Sequence, residues 1–313
     1  MWSRRVFLGL PALGLIPPPR PERDVPFPAP LPITRLLFGG DVMLSRYVGA
    51  IARQRNDPAA PLRDLAPTLA AADIAFVNLE APFSDRGRVA NSGMIFKAEP
   101  EMVEALRVAG IDVVSTANNH ARDCGGHGVE FTLEWLRKNG IENAGTGADE
   151  EAAHAGTVLT RHGTRFGFLA YTYDQSNGNH RDVDPRVAVM DVGRMRADVA
   201  AMRRRANVAI VSMHAGIEYQ AKPNAQQKEF ARAAIDAGAR LVVGHHPHVV
   251  EPVEEYGGGV IFYSLGNLVF DQYQRAETQR GLLAEALFRG RRLERYRLMP
   301  VRIVQTAPRL ATG

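Results

Sequence analysis

The chain is 313 residues long, 45% hydrophobic and 23% charged, with a formal net charge of +4, which fits a soluble globular protein of one large domain or two small ones. Arg4, Arg5 and Arg20 all fall at the very start; the rest is close to neutral, its arginines scattered, which excludes a nucleic-acid footprint. Cys124 is the only cysteine, so an intrachain disulfide and any paired-cysteine zinc or redox motif are excluded, and a metal would have to take oxygen and nitrogen ligands.

Ser3, Arg4, Arg5, Val6, Phe7 and Leu8 read as a twin-arginine export signal leading into an apolar stretch that ends at Ile16, too short to span a bilayer. Ala12-Leu13-Gly14 is a weak cleavage candidate; uncleaved, the segment would tie the protein to the membrane. Residues 17–32 contain eight prolines and read as a linker, because proline lacks the donor that helices and central strands need. The expected organisation is a signal and linker over 1–32, a domain over 33–306 and a tail over 307–313.

Within the domain, short apolar runs end in polar residues and are followed by amphipathic stretches. Leu36 to Phe38 precedes Gly39-Gly40-Asp41, Ile74 to Val77 precedes Asn78-Leu79-Glu80, and Val113-Val114 leads towards Asn118-Asn119-His120. Val208 to Met213 precedes His214, and Leu241 to Val243 precedes Gly244-His245-His246-Pro247-His248. Helices are expected near 61–72, 99–109, 128–139, 193–205 and 224–238. Strands alternating with helices predict an α/β architecture, in which ligands collect beyond the carboxyl ends of strands. The five polar clusters fall there. Residues 156–173 read as a hairpin turning at His162-Gly163, Gly257 to Gly259 as another hairpin turn, and 259–305 as β-rich, so a mixed sheet or two stacked sheets is expected.

The clusters carry ligand chemistry. If the chain stays extended, His246 and His248 share a face and His245 points elsewhere; two imidazoles on one side suit a divalent transition metal. Asp41, after two glycines, and Glu80 supply carboxylates, although an Asp in that position also serves as a helix cap. Asn78 is two residues before Glu80, on the same face of the strand. Asn118 and Asn119 offer amide oxygens beside His120, and Asp123 is near enough to orient His120 for acid/base work. His214 closes the set. Lys97, Glu218 and Tyr219 are candidates to face substrate, and Asn267 and Asp271 to support the site from behind.

Gly40-Asp41-Val42-Met43-Leu44, Asn78-Leu79-Glu80, Asn118-Asn119-His120, His214-Ala215-Gly216, Gly244-His245-His246-Pro247-His248-Val249 and Ser264-Leu265-Gly266-Asn267 resemble, in this order, motifs of the bacterial capsule-synthesis family (CapA-type, poly-γ-glutamate). That family looks like a branch of the calcineurin-like metallophosphoesterases. The resemblance implies two stacked mixed β-sheets flanked by helices, an αββα sandwich. It also implies Asp41, Glu80, Asn119, His214, His246 and His248 as metal ligands and His120, with Asp123, as the catalytic group facing the leaving atom. Met43 stands where the superfamily has its first histidine, and Asn78-Leu79-Glu80 replaces the segment supplying the bridging aspartate. One or two divalent cations are implied, and mixed nitrogen and oxygen ligands suit manganese, iron and zinc alike. Two functions fit: an exported hydrolase of a phosphoester or γ-glutamyl bond, or a non-catalytic accessory that binds or exports an anionic polymer.

Overall fold

The computed structural model describes residues 31–87, 93–175, 180 and 182–311; the export signal and linker residues 17–30 lie outside the described residues. In chain order the first elements are β1 (Ile33–Val42), α1 (Arg46–Gln54), α2 (Ala66–Leu69), β2 (Ile74–Leu79), α3 (Val103–Val108), β3 (Val113–Ser115), α4 (Gly125–Lys138), β4 (Glu142–Ala144) and α5 (Glu150–Ala155). Then come β5 (Thr157–Arg161), β6 (Thr164–Thr172), α6 (Val192–Arg205), β7 (Val208–His214), α7 (Ala225–Ala237), β8 (Leu241–His245), β9 (Val253–Tyr256), β10 (Gly259–Phe262), β11 (Asn267–Val269), β12 (Arg280–Arg289), β13 (Arg292–Val304) and β14 (Ala307–Leu310).

The strands form two mixed sheets. One runs β14-β13-β12-β1-β2-β3-β4, with β11 on the end of β1; the other runs β5-β6-β7-β8-β10-β9. Alternation along each strand makes the layers. On β1, Leu36 and Phe38 face the opposite sheet while Leu37 faces outward, and on β7 Val208 and Ile210 face inward while Ala209, Val211 and Met213 face outward. The inter-sheet core includes Phe76 stacked on Phe168, with centroids 5.7 Å apart. Helices α3 and α4 cover the outer face of the first sheet, and α6 and α7 that of the second. Each fully buried Leu, Val or Phe contributes about 1.5–3 kcal/mol relative to exposure. The result is the αββα sandwich.

Local chemistry accounts for the elements. Helix α7 starts at a capping box, Asn224 accepting from the Gln227 N–H while the Gln227 side chain accepts from the Asn224 N–H, and ends at Gly238 in the left-handed region. The hairpin of β5 and β6 turns at His162 (φ 48°) and Gly163 (φ 75°), the double positive φ of a two-residue turn. The helix expected over 61–72 reduces to the single turn of α2. Pro61 and Pro67 remove donors, and the preceding residues instead form successive three-residue turns, Leu62 to Ala59 and Leu65 to Leu62. The expected tail does not begin at 307, because Ala307–Leu310 pairs with Val301–Val304 as an edge strand.

One irregularity aims the site. Phe38 pairs with Phe76 and Asp41 with Asn78, so β1 carries an extra residue at Gly39-Gly40, a bulge that turns Asp41 towards the strand ends. A side chain at Gly40 would place its Cβ 1.8 Å from the Gly266 carbonyl oxygen. Among the described residues no helix is long and apolar enough to cross a membrane.

Candidate metal centre

The carboxyl ends of β1, β2, β3, β7 and β8 lie at one edge of the sandwich, and the polar clusters meet there. Asp41 lies one residue before the end of β1, His214 ends β7, Glu80 follows β2, and all three are fully buried. Donor atoms from these three side chains lie within 4.8 Å of one another. The Asn78 amide joins them: its Nδ2 donates to Asp41 Oδ1 at 2.9 Å and to Glu80 Oε2 at 3.2 Å. Asn118 steadies Asn78 in turn, donating to its Oδ1 at 3.2 Å and to the Leu79 carbonyl at 2.8 Å. Asn119 Oδ1 lies 2.7 Å from His214 Nε2.

The His245-to-His248 segment is not extended. Strand pairing stops at His245, and His246 (φ 96°) and His248 (φ 58°) adopt left-handed backbone conformations. Such outliers cost on the order of 1–3 kcal/mol each and persist where the surroundings fix them. The turn wraps the loop around Asp41, whose Oδ2 accepts from the His246 N–H at 3.3 Å and lies 3.3 Å from His248 Nδ1. His245 therefore does not point elsewhere: its Nδ1 is 3.3 Å from Asp41 Oδ1. The His246 ring is 4.9 Å from that of His214, and His248 Nε2 is 3.6 Å from Glu80 Oε1.

Burial and charge set the protonation states. Burial pushes the Asp41 carboxyl up, but hydrogen bonds and charge from His245 and His248 outweigh it and hold the group well below its ordinary range. Glu80 is pushed well above its range by burial, then by the charges of Asp41 and Glu218. Burial, then the neighbouring His246, holds His214 well below the usual imidazole value; burial, then His248, takes His246 down to about 3. The imidazoles of His214 and His246 are thus neutral, with lone pairs available.

Two atoms test whether this set fits a cation. Glu80 Oε1 and His246 Nδ1 are buried without a hydrogen-bond partner among the described residues, a costly state for polar atoms in a folded interior. Carboxylates and neutral imidazoles converging on such atoms are the donor set of a divalent transition metal. The residues fit the group.

Beside the cluster, His120 Nδ1 sits 2.7 Å from Asp123 Oδ2, its ring stacked on Phe96 at 3.9 Å. Asp123 also accepts from the Phe96 N–H at 2.5 Å. Asn267 Oδ1 lies 3.0 Å from His248 Nδ1, and Asn267 Nδ2 donates to the Thr278 carbonyl. Asp271 accepts from the Tyr47 N–H and pairs with Arg46 at 2.8 Å, capping α1. Tyr219 stands 6.3 Å from His248 between ring centroids, under the Arg275 guanidinium, and Glu218 is exposed next to it. Lys97 is turned to Glu99, 3.1 Å away, rather than to the cluster. Met43 is buried in the outer core of the first sheet, its sulfur accepting from the Ser45 N–H. Among the described residues a single three-ligand cluster of His, Cys, Asp and Glu forms. Missed from sequence were His245, Arg46, Phe96 and the buried pair Gln227–Glu251, joined at 2.7 Å; only His245, inside the histidine run, carried a visible signal.

The solved structures of a putative 5'-nucleotidase from Staphylococcus aureus and of an NAD nucleotidase from Haemophilus influenzae share the fold, with TM-scores of 0.52 and 0.51 at 11% identity. Each alignment covers 90% of this chain and 55% and 54% of those chains. Among curated proteins, the PGA biosynthesis protein CapA of Bacillus subtilis is 31% identical over 275 residues, covering 87% of this chain and 72% of that one. The capsule biosynthesis protein CapA of Bacillus anthracis is 30% identical, covering 74% of this chain and 59% of that one. A probable polyglutamine synthesis accessory protein of Mycobacterium tuberculosis is 31% identical over 217 residues, 64% of this chain and 56% of its own; the chain thus spans less than two thirds of these last two relatives. The family model described as "Bacterial capsule synthesis protein PGA_cap" matches residues 35–272, and with a strand-end site of this geometry the chain belongs to that family.

Proposed function

We propose that this protein is exported and acts in capsule or poly-γ-glutamate metabolism as a metal-dependent hydrolase of a phosphoester or γ-glutamyl amide bond. The observation that carries the reading is the buried meeting of Asp41, Glu80 and His214, donor atoms within 4.8 Å, with a hydrogen-bonded His120–Asp123 pair alongside.

Asp41, Glu80 and His214 would hold the cation, with His246, His248 and Asn119 completing the set. When bound, a divalent cation supplies Lewis acidity and makes water a nucleophile near neutral pH. The chain's own residues do the rest. Asn78 holds both carboxylates in register through one amide. Asp123, accepting from His120 Nδ1, orients the ring so that Nε2 faces the leaving group and passes it a proton when the ring holds one on each nitrogen, the ring keeping its Nδ1–H on Asp123 afterwards. Phe96 stacked on His120 keeps water from that face.

The export reading rests on Arg4-Arg5 ahead of the apolar run to Ile16. A second reading, a polymer-binding accessory without turnover, is favoured by Met43, which leaves the strand end without the superfamily's first imidazole. Protein loaded with manganese, iron or zinc is to be screened against phosphoesters and γ-glutamyl peptides. Turnover abolished by His246→Ala with His248→Ala supports the hydrolase; turnover that survives in the cation-free double variant rules it out, and tight polymer binding without turnover selects the accessory.

A further inference from the structure

A cleft of about 360 Å³ runs along α1 between residues 44–53, Gly87 and residues 97–99. Three cations line it, Arg46, Arg53 and Lys97, against one carboxylate, Glu99. Ser45 joins its walls, its Oγ accepting from the Lys97 N–H at 2.9 Å. Arg53 is exposed and makes no ion pair among the described residues. Gly49 lines the cleft too: a Cβ there would stand 3.5 Å from the Leu44 carbonyl oxygen and 3.8 Å from the Arg53 guanidinium, ordinary contact distances, so a larger side chain would occupy the space beside Arg53.

Arg46 connects the cleft to the chemistry. Its guanidinium lies 5.3 Å over the Phe96 ring, and Phe96 stacks on His120. It also pairs with Asp271, next to Phe270, whose ring is 4.7 Å from that of His248. One residue therefore separates Arg46 from His120 on one side, and Phe270 and Asp271 separate it from His248 on the other. Arg46 is held there with φ 50°, a left-handed conformation that a non-glycine residue adopts at a cost.

We infer that this cleft is a binding subsite for a carboxylate of an extended polycarboxylate chain, taken from a unit next to the one at the metal centre. The inference rests on the reading above that the site serves an anionic polymer. Lys97 is paired with Glu99 and Arg46 with Asp271, so Arg53 is the cation left over to select an anion, and the half-exposed rim suits a chain that continues into solvent rather than a small molecule that is engulfed. The unpaired Arg53 supplies a planar fork matched to a carboxylate.

The test compares binding of a γ-linked glutamate oligomer with that of the γ-glutamyl dipeptide by calorimetry, on the full chain at low salt. Arg53→Ala is expected to weaken the oligomer about fivefold and Arg53→Glu about tenfold, with the dipeptide moved less than about twofold. Gly49→Leu fills the cleft beside the Arg53 guanidinium while leaving every charge in place and should give the same selective loss. High salt should erase the difference. Oligomer binding that none of the three variants alters, equal loss for both ligands, absence of oligomer binding to the wild type, or a preference for inorganic polyphosphate would each overturn the subsite. Selective loss in protein that hydrolyses nothing retires the hydrolase reading and leaves the subsite standing.

Discussion

Loading the site with a cation should expel a proton, and the structure says which one. Donor atoms of Asp41 and Glu80 lie within 4.8 Å; two unit charges at that separation repel by about 3 kcal/mol at an effective dielectric near 20. Asp41 is held ionised by His245 and His248, so burial and Asp41 together keep the proton on Glu80. The His214 and His246 imidazoles are held neutral and have none to give. Cation binding should therefore displace the Glu80 proton, in addition to what His248, whose charge helps hold Asp41 ionised, gives up on ligating, and affinity should rise by at least about tenfold per pH unit while Glu80 remains protonated. Titrating manganese into chelator-stripped protein by calorimetry, in two buffers of different ionisation enthalpy, measures the protons released. Wherever Glu80 is protonated, the wild type is expected to release about one proton per cation more than Glu80→Gln, whose affinity should drop by at least about 100-fold. Wild-type binding that releases no proton and ignores pH would refute the assignment of charge in the cluster.

Asp123→Asn should leave cation content unchanged while lowering turnover by about 100-fold or more, because the amide no longer orients His120 for proton transfer; turnover kept at the wild-type level would show that the pair is only structural. Glu251, buried against Gln227, is pushed up to about 7 by burial from an ordinary 4.5. A raised acid stabilises the fold below its unfolded value and loses that contribution as pH rises through its folded one, here between about 4.5 and 7. Glu251→Gln should accordingly gain melting temperature over the wild type between acid and alkaline buffer; parallel curves would contradict this. Gly40→Ala, whose Cβ would stand 1.8 Å from the Gly266 carbonyl oxygen, should destabilise by several kcal/mol, on the order of a severe core change, read as loss of soluble protein or a large fall in the denaturation midpoint.

Much of the site was legible because strand ends announce themselves. An apolar run that stops at Asp41, Asn78 or His214 places that residue at the sheet edge, and the register then brings such ends together. Three things were not legible. The bulge at Gly39-Gly40 that turns Asp41 depends on contact with Gly266, more than two hundred residues away. The positive φ of His246 and His248 replaced the alternation expected of an extended chain, which is why His245 also faces Asp41. The basic cleft gathers Arg46, Arg53 and Lys97 from separate segments whose charges look scattered along the chain. In the fold, α2 shrank because its prolines favour tight turns, and β14 was hidden because a short edge strand with Pro308 reads as tail.

The most direct measurement is the cation content of purified, chelator-free protein by elemental analysis, comparing wild type with Asp41→Asn and His214→Ala. Near-stoichiometric manganese, iron or zinc in the wild type, lost in both folded variants, is the predicted result. Wild-type protein without bound transition metal, or variants that keep it in full, would contradict a cation held where these strand ends meet.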